Sequence, residues 1–210
     1  MQVPVADLVL AFTHKSFSHE FSVAHQEQLE FLGDAVLQLI LTDELYAKYP
    51  DEKEGHLSKL RSAIVNEKSL SSIAKGLALD ELIIVGKGEY KKRLFEQDPV
   101  LADTFEALLA QIYRFQGIEF TKALFLSWLK VFIPGAFEAN FLADFDSKSQ
   151  LQERVLAKYK KLPRYTSENV GDEFEIGLWI NDELSAKGVF SSKRQGEKTL
   201  AKQVLKKGNF

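Results

Sequence analysis

Three carboxylates, Glu27, Glu30 and Asp34, stand three and four residues apart inside the apolar run HQEQLEFLGDAVL at residues 25–37. Those offsets make axial neighbours on a helix, here confined to about 60° of its circumference. Leu29, Phe31, Leu32, Val36, Leu37, Leu39 and Ile40 cover most of the remaining surface, the pattern of a buried helix. Carboxylates on a buried helix are costly to ionise without a cation or hydrogen-bond donors. Asp103 and Glu106, three apart between Leu101, Phe105, Leu108, Leu109 and Ile112, repeat the pattern. Two such helices packed together would bring four acidic groups to one point. An oxygen-only donor set suits a hard cation such as Mg²⁺, which activates water and stabilises charge developing on a phosphoryl group. Phosphodiester hydrolysis is the chemistry that fits. A solvated or ion-paired helix face would show the same spacing, and on spacing alone that alternative stands.

The elements that must carry these groups read as helices. Apolar residues recur at helical spacing over 4–17, 26–49, 55–74, 99–115 and 120–141, with breaks at Tyr49-Pro50-Asp51, Gly86-Lys87-Gly88, Asp98-Pro99 and Gly117. The pattern changes after Asp144-Phe145-Asp146-Ser147. A helix over 149–159, strands over 163–169, 174–181 and 184–191, and a helix over 194–206 make a compact α+β module of order α-β-β-β-α. The expected architecture is multidomain: an all-α domain over 1–143, a linker over 144–148 and the α+β module over 149–210.

Charge divides along the same line. Residues 1–146 hold 14 Lys and Arg against 22 Asp and Glu, a balance of −8, and residues 147–210 hold 13 against 8, a balance of +5. Two modules with different partners are implied. The chain has no cysteine, which excludes disulfides and thiolate metal sites and fits a cytoplasmic protein. No stretch reaches about 18 uncharged apolar residues, so neither a signal peptide nor a membrane span is expected. His14, His25 and His56 show no zinc spacing, and Gly86-x-Gly88 lacks the strand and helix that a phosphate loop requires.

QEQLEFLGDAVL, EGHLSKLRSAIVNEKSL and LADTFEAL, with AFTHKSF before them and GKGE between the last two, resemble the endonuclease domain of the ribonuclease III family over about residues 8–140. The resemblance implies a homodimeric, Mg²⁺-dependent endonuclease, with Mn²⁺ as a substitute. It would act on double-stranded RNA, leave 5′-phosphate and 3′-hydroxyl ends, and serve rRNA and mRNA processing. It implies that Glu30, Asp34, Asp103 and Glu106 are the metal-binding and catalytic acids. Glu30 and Glu106 would hold the ion directly, while Asp34 and Asp103 complete the cluster and orient the attacking water. Glu27 and Glu54 match accessory acids. Phe31 matches an aromatic residue inserted into the partner subunit, although an ordinary core phenylalanine reads the same way. The chain departs from the family at Gln26, where Asn is usual, at Ala107-Leu108-Leu109-Ala110-Gln111, and at Tyr90-Lys91-Lys92-Arg93. None of these changes removes a principal carboxylate.

Lys148 to Glu153, Pro163-x-Tyr165 and Ser192 to Glu197 resemble a double-stranded-RNA-binding domain. That likeness implies phosphate contacts from Lys193, Arg194 and Lys198, and contacts of Gln152 and Glu153 with ribose and base edges. Three departures stand out. A groove-reading loop is shortened to Gly171-Asp172-Glu173, Phe190 replaces a glycine, and Gly196 replaces an alanine. The acidic, shortened loop predicts weaker, more salt-dependent RNA binding. Two other classes remain: an RNA-binding protein without turnover, and an acidic hydrolase of small molecules that would leave the basic module unexplained.

Overall fold

The computed structural model of the chain describes residues 3–138 and 147–208. The chain divides into two compact units, Met1–Ala136 and Phe137–Phe210.

The first unit is helical: α1 (Val5–Phe12), α2 (Lys15–Phe21), α3 (Glu27–Lys48), α4 (Glu54–Ile64), α5 (Glu67–Gly76), α6 (Lys87–Lys91) and α7 (Asp98–Phe132). The expected helix over 4–17 is two helices. Thr13 is extended and pairs with Ile84, and the His14 side chain accepts from the Ser16 amide to start α2. The expected helix over 55–74 also divides, because the Asn66 side chain accepts from the Ser69 amide and caps α5. Gly117, at φ 76°, kinks α7 between its two halves. The expected last helix over 120–141 ends at Phe132: residues 133–138 form turns and bends, and 139–141 lie outside the described residues.

Helices α3 and α7 form the centre of this unit. Leu37, Ile40, Leu41 and Leu45 of α3 and Leu101, Phe105, Leu109 and Ile112 of α7 are fully or almost fully buried. Phe105 meets Phe125 at 6.2 Å and Trp128 at 5.7 Å between ring centroids. The expectation that α3 is covered nearly all round is corrected. Phe31 is 80% exposed, Tyr46 74% and Leu39 60%, so one flank of the helix is an open apolar stripe.

The second unit has α8 (Ser147–Tyr159), strands β1 (Arg164–Val170), β2 (Glu173–Ile180) and β3 (Glu183–Phe190), and α9 (Lys193–Lys207). Of the expected linker, residues 144–146 lie outside the described residues, whereas Ser147 and Lys148 belong to α8. The sheet is antiparallel in the order β1-β2-β3. Asn181 and Asp182 link β2 to β3 with φ of 49° and 67°. Two successive positive φ values give a turn whose twist matches the strands it joins. Leu151, Val155, Ile176, Leu178, Leu200 and Ala201 form the core between sheet and helices. Gly196 and Phe190 explain one another. A Cβ on residue 196 would stand 2.4 Å from Ile176 Cδ1 and 2.5 Å from Phe190 Cδ2. The Phe190 ring fills the space an alanine at 196 would need, so the two departures are a single exchange of volume.

Candidate active site

The helices that carry the acidic residues, α3 and α7, cross at Gly33, and the crossing depends on the lack of a side chain there. A Cβ there would lie 1.9 Å from the Glu106 carbonyl oxygen, so only glycine permits this approach. Glu30 and Asp34 flank Gly33 on α3, and Asp103 and Glu106 lie on the facing turn of α7. Just beyond, the Gln26 side chain is buried against α7, where the Thr104 hydroxyl donates to its Oε1 at 3.3 Å. The Gln26 amide donates to the Thr13 carbonyl at 3.0 Å, tying the start of α3 to the break after α1.

The electrostatics of the four acids are shared. Burial, reinforced by the charges of Asp34, Asp103 and Glu30, pushes the Glu106 carboxyl up to about 8. Burial also raises Glu30, with Asp103, Glu27 and Asp34 adding to the effect. Burial raises Asp103 too, against the opposing charge of Lys15. Asp34 is exposed and accepts from Gln38 Nε2 at 3.3 Å. As the side chains stand, no three His, Cys, Asp or Glu groups among the described residues converge closely enough to enclose a metal ion. The donor chemistry nevertheless fits a hard cation. Mg²⁺ is commonly held by one or two carboxylates, with waters and substrate phosphates completing its shell. A carboxyl that retains its proton to about pH 8 among three other acids is one that a cation would stabilise.

The accessory acids separate. Glu27, at the start of α3, accepts from Lys15 Nζ at 3.0 Å, and this pair holds its carboxyl below the usual range. Glu54 is not brought to the cluster within the chain. It accepts from the Ser58 hydroxyl at 2.8 Å and lines a hollow of about 500 Å³ with Thr42, Leu45, Tyr46, Leu57 and Arg61. That hollow is on the order of 20 Å along α3 from Glu30. The basic run after α6 is turned to local pairs, Lys92 with Glu89 at 3.4 Å and Arg93 with Glu96.

In the second unit Lys193, Arg194 and Lys198 gather on the first turns of α9, capped by the Ser192 hydroxyl, which accepts from the Gln195 amide. The Lys193 ammonium stands 5.1 Å from the Phe174 ring centroid. Gln152 is half-buried and Glu153 exposed on α8. Val170 pairs directly with Glu173, so β1 and β2 are joined by Gly171 and Asp172 alone. Spacing gave no sign of Lys15, twelve residues and a turn before Glu27, nor of the role of Gly33. Both lie within the segments that carry the family resemblance.

Comparison with known proteins identifies the family. The family described as Ribonuclease-III-like matches residues 7–131. Ribonuclease 3 of Streptococcus equi subsp. zooepidemicus is 39% identical over 206 residues, covering 94% of this chain and 88% of that protein. Ribonuclease 3 of Streptococcus pyogenes serotype M2 is 40% identical, with the same coverage. The nuclease domain of ribonuclease III from Campylobacter jejuni, described with structural flexibility in a region involved in dimer formation, superposes with a TM-score of 0.61. It shares 38% identity, and the match covers 64% of this chain and 92% of that domain. Among the described residues no helix is long and apolar enough to cross a membrane. The chain belongs to the ribonuclease III family and is an endoribonuclease.

Proposed function

We propose that the chain is a homodimeric, Mg²⁺-dependent endonuclease of double-stranded RNA, able to use Mn²⁺ instead. It leaves 5′-phosphate and 3′-hydroxyl ends and works in the cytoplasm on rRNA and mRNA precursors. The observation that carries this reading is the backbone contact of Gly33 with Glu106, which packs the two acid-bearing helices α3 and α7 against each other; burial among the other acids, which raises the Glu106 carboxyl, accords with it. Glu30 and Glu106 would hold the ion; Asp34 and Asp103 would complete the acidic group and orient the attacking water. When bound, the ion supplies positive charge to offset that developing on the phosphoryl group. The packed α3–α7 crossing fixes the two backbones that carry the carboxylates, so closing on an ion would need side-chain movement and no shift of the helices.

Dimerisation is supported by the apolar flank of α3. Phe31 extends into solvent from one half of the helix, and the hollow lined by Leu45, Tyr46 and Leu57 opens at the other. A two-fold pairing of α3 with its copy would seat the partner's Phe31 in that hollow, as a self-complementary interface requires. Glu54, which lines the hollow, would then face the start of the partner's α3 and serve as an accessory acid there. In the second unit Lys193, Arg194 and Lys198 would hold phosphates, with Gln152 and Glu153 against the minor groove. The short, acidic Gly171-Asp172 turn would weaken RNA binding and leave it more dependent on salt. Incubation with long double-stranded RNA and Mg²⁺ at low salt tests the reading. Cleavage stopped by EDTA, yielding ends that a phosphatase makes labelable by polynucleotide kinase, is expected. Absence of EDTA-sensitive cleavage would refute it.

A further inference from the structure

Lys15 opens α2, and its ammonium lies 3.0 Å from Glu27 Oε1. Both side chains are about half exposed, so the pair contributes little to folding by itself. Its field reaches further. The Lys15 charge opposes the effect of burial at Asp103 and at Glu30, two of the acids in the cluster. At Glu106, burial, Asp34, Asp103 and Glu30 all act in one direction. His14, beside Lys15, is held below the usual imidazole range by burial, leaving Lys15 as the stable positive charge of this pair at neutral pH. The acidic cluster therefore carries the Lys15 ammonium at its Glu27 end, one helical turn from Glu30.

Resting on the metal reading above, we propose that Lys15 is a built-in counter-ion of the acidic cluster, a positioning residue that holds Glu27 away from the ion and loosens the site's grip on it. Two consequences follow from charge alone. Without metal, Lys15 offsets repulsion among the acids and stabilises the fold. With metal, it repels the incoming divalent cation, and more strongly at low ionic strength. A merely structural link between α2 and α3 would act the other way on metal, because loosening the cluster weakens binding.

The test measures Mn²⁺ binding to the RNA-free full chain by electron paramagnetic resonance, for wild type, Lys15→Met and Lys15→Arg, at low and high salt. Lys15→Met is expected to bind Mn²⁺ roughly fivefold more tightly at low salt, with the gain shrinking at high salt. Lys15→Arg is expected to match wild type. Thermal unfolding in EDTA should be lower for Lys15→Met, and saturating Mn²⁺ should remove the difference, which also shows that the variant folds. Unchanged or weaker Mn²⁺ binding by a folded Lys15→Met overturns the counter-ion role while leaving the metal reading intact. Failure of wild type itself to bind Mn²⁺ overturns both.

Discussion

Gly33 and Glu106 are in backbone contact: a single added methyl on Gly33 would stand 1.9 Å from the Glu106 carbonyl oxygen. This contact sets the distance between α3 and α7, and so between the acids each helix carries. Gly33→Ala must force the helices apart. Overpacking of this kind costs about 1–3 kcal/mol, and a shift of catalytic groups by about 1 Å can cost on the order of a hundredfold in rate. Urea unfolding and RNA cleavage are therefore expected to fall together. Near-wild-type cleavage by Gly33→Ala would remove the contact from the account.

Metal-free stability should depend on pH through Glu106. Its folded carboxyl titrates at about 8 and a free glutamate near 4.5, so between these values the folded state holds a proton that the unfolded state has lost. Stability must then fall as pH rises through this window. Glu30 and Asp103, also raised by burial, act in the same direction. His14, lowered by burial, acts oppositely but only at or below about its ordinary pKa, so the interval from pH 7 to 8 isolates the carboxyls. Urea unfolding in EDTA is expected to show the decline, and Glu106→Gln to flatten it. A rise in stability from pH 7 to 8 would contradict the assigned burial.

The open flank of α3 predicts an association defect without a folding defect. Phe31→Ala removes a side chain that is 80% exposed in the single chain, so helicity should be unchanged. If Phe31 anchors the dimer, its loss should weaken association by roughly 2 kcal/mol or more. Sedimentation equilibrium reads this directly, and an unchanged dimer constant rules the anchor out.

Phe190 and Gly196 should behave as a coupled pair. Gly196→Ala is expected to cost about 1–3 kcal/mol beside Phe190 and clearly less in a Phe190→Ala background. Additive costs in a double-mutant cycle would mean that the two departures are unrelated.

These relationships differ in how far the sequence revealed them. The stripe of Glu27, Glu30 and Asp34 and the pair Asp103–Glu106 were legible because carboxylates at helical spacing inside apolar runs are conspicuous. The strands over 174–181 and 184–191 were legible as alternating runs, and the turn falls at their junction on Asn181 and Asp182, residue types that tolerate positive φ. Gly33 was not, because the importance of a missing side chain shows only when the opposing backbone is known. Lys15 reaches Glu27 across a helix break that depends on Thr13 pairing with Ile84, a contact between residues 71 positions apart. Periodicity misjudged α3 because it counts apolar positions without saying which of them another element covers. Phe31, Leu39 and Tyr46 are apolar or aromatic and in helical register, yet nothing among the described residues covers them.

In the proposed function Glu106 belongs to the ion-binding and cutting machinery and not to RNA binding. The most direct measurement compares wild type with Glu106→Gln for binding and Mg²⁺-dependent cleavage of one long double-stranded RNA. Glutamine keeps the shape and removes the charge. Binding within about threefold of wild type is expected, with cleavage reduced by roughly a thousandfold or more, a loss of about 4 kcal/mol of transition-state stabilisation. Cleavage near the wild-type rate, or an equal loss of binding and cleavage, would contradict that role.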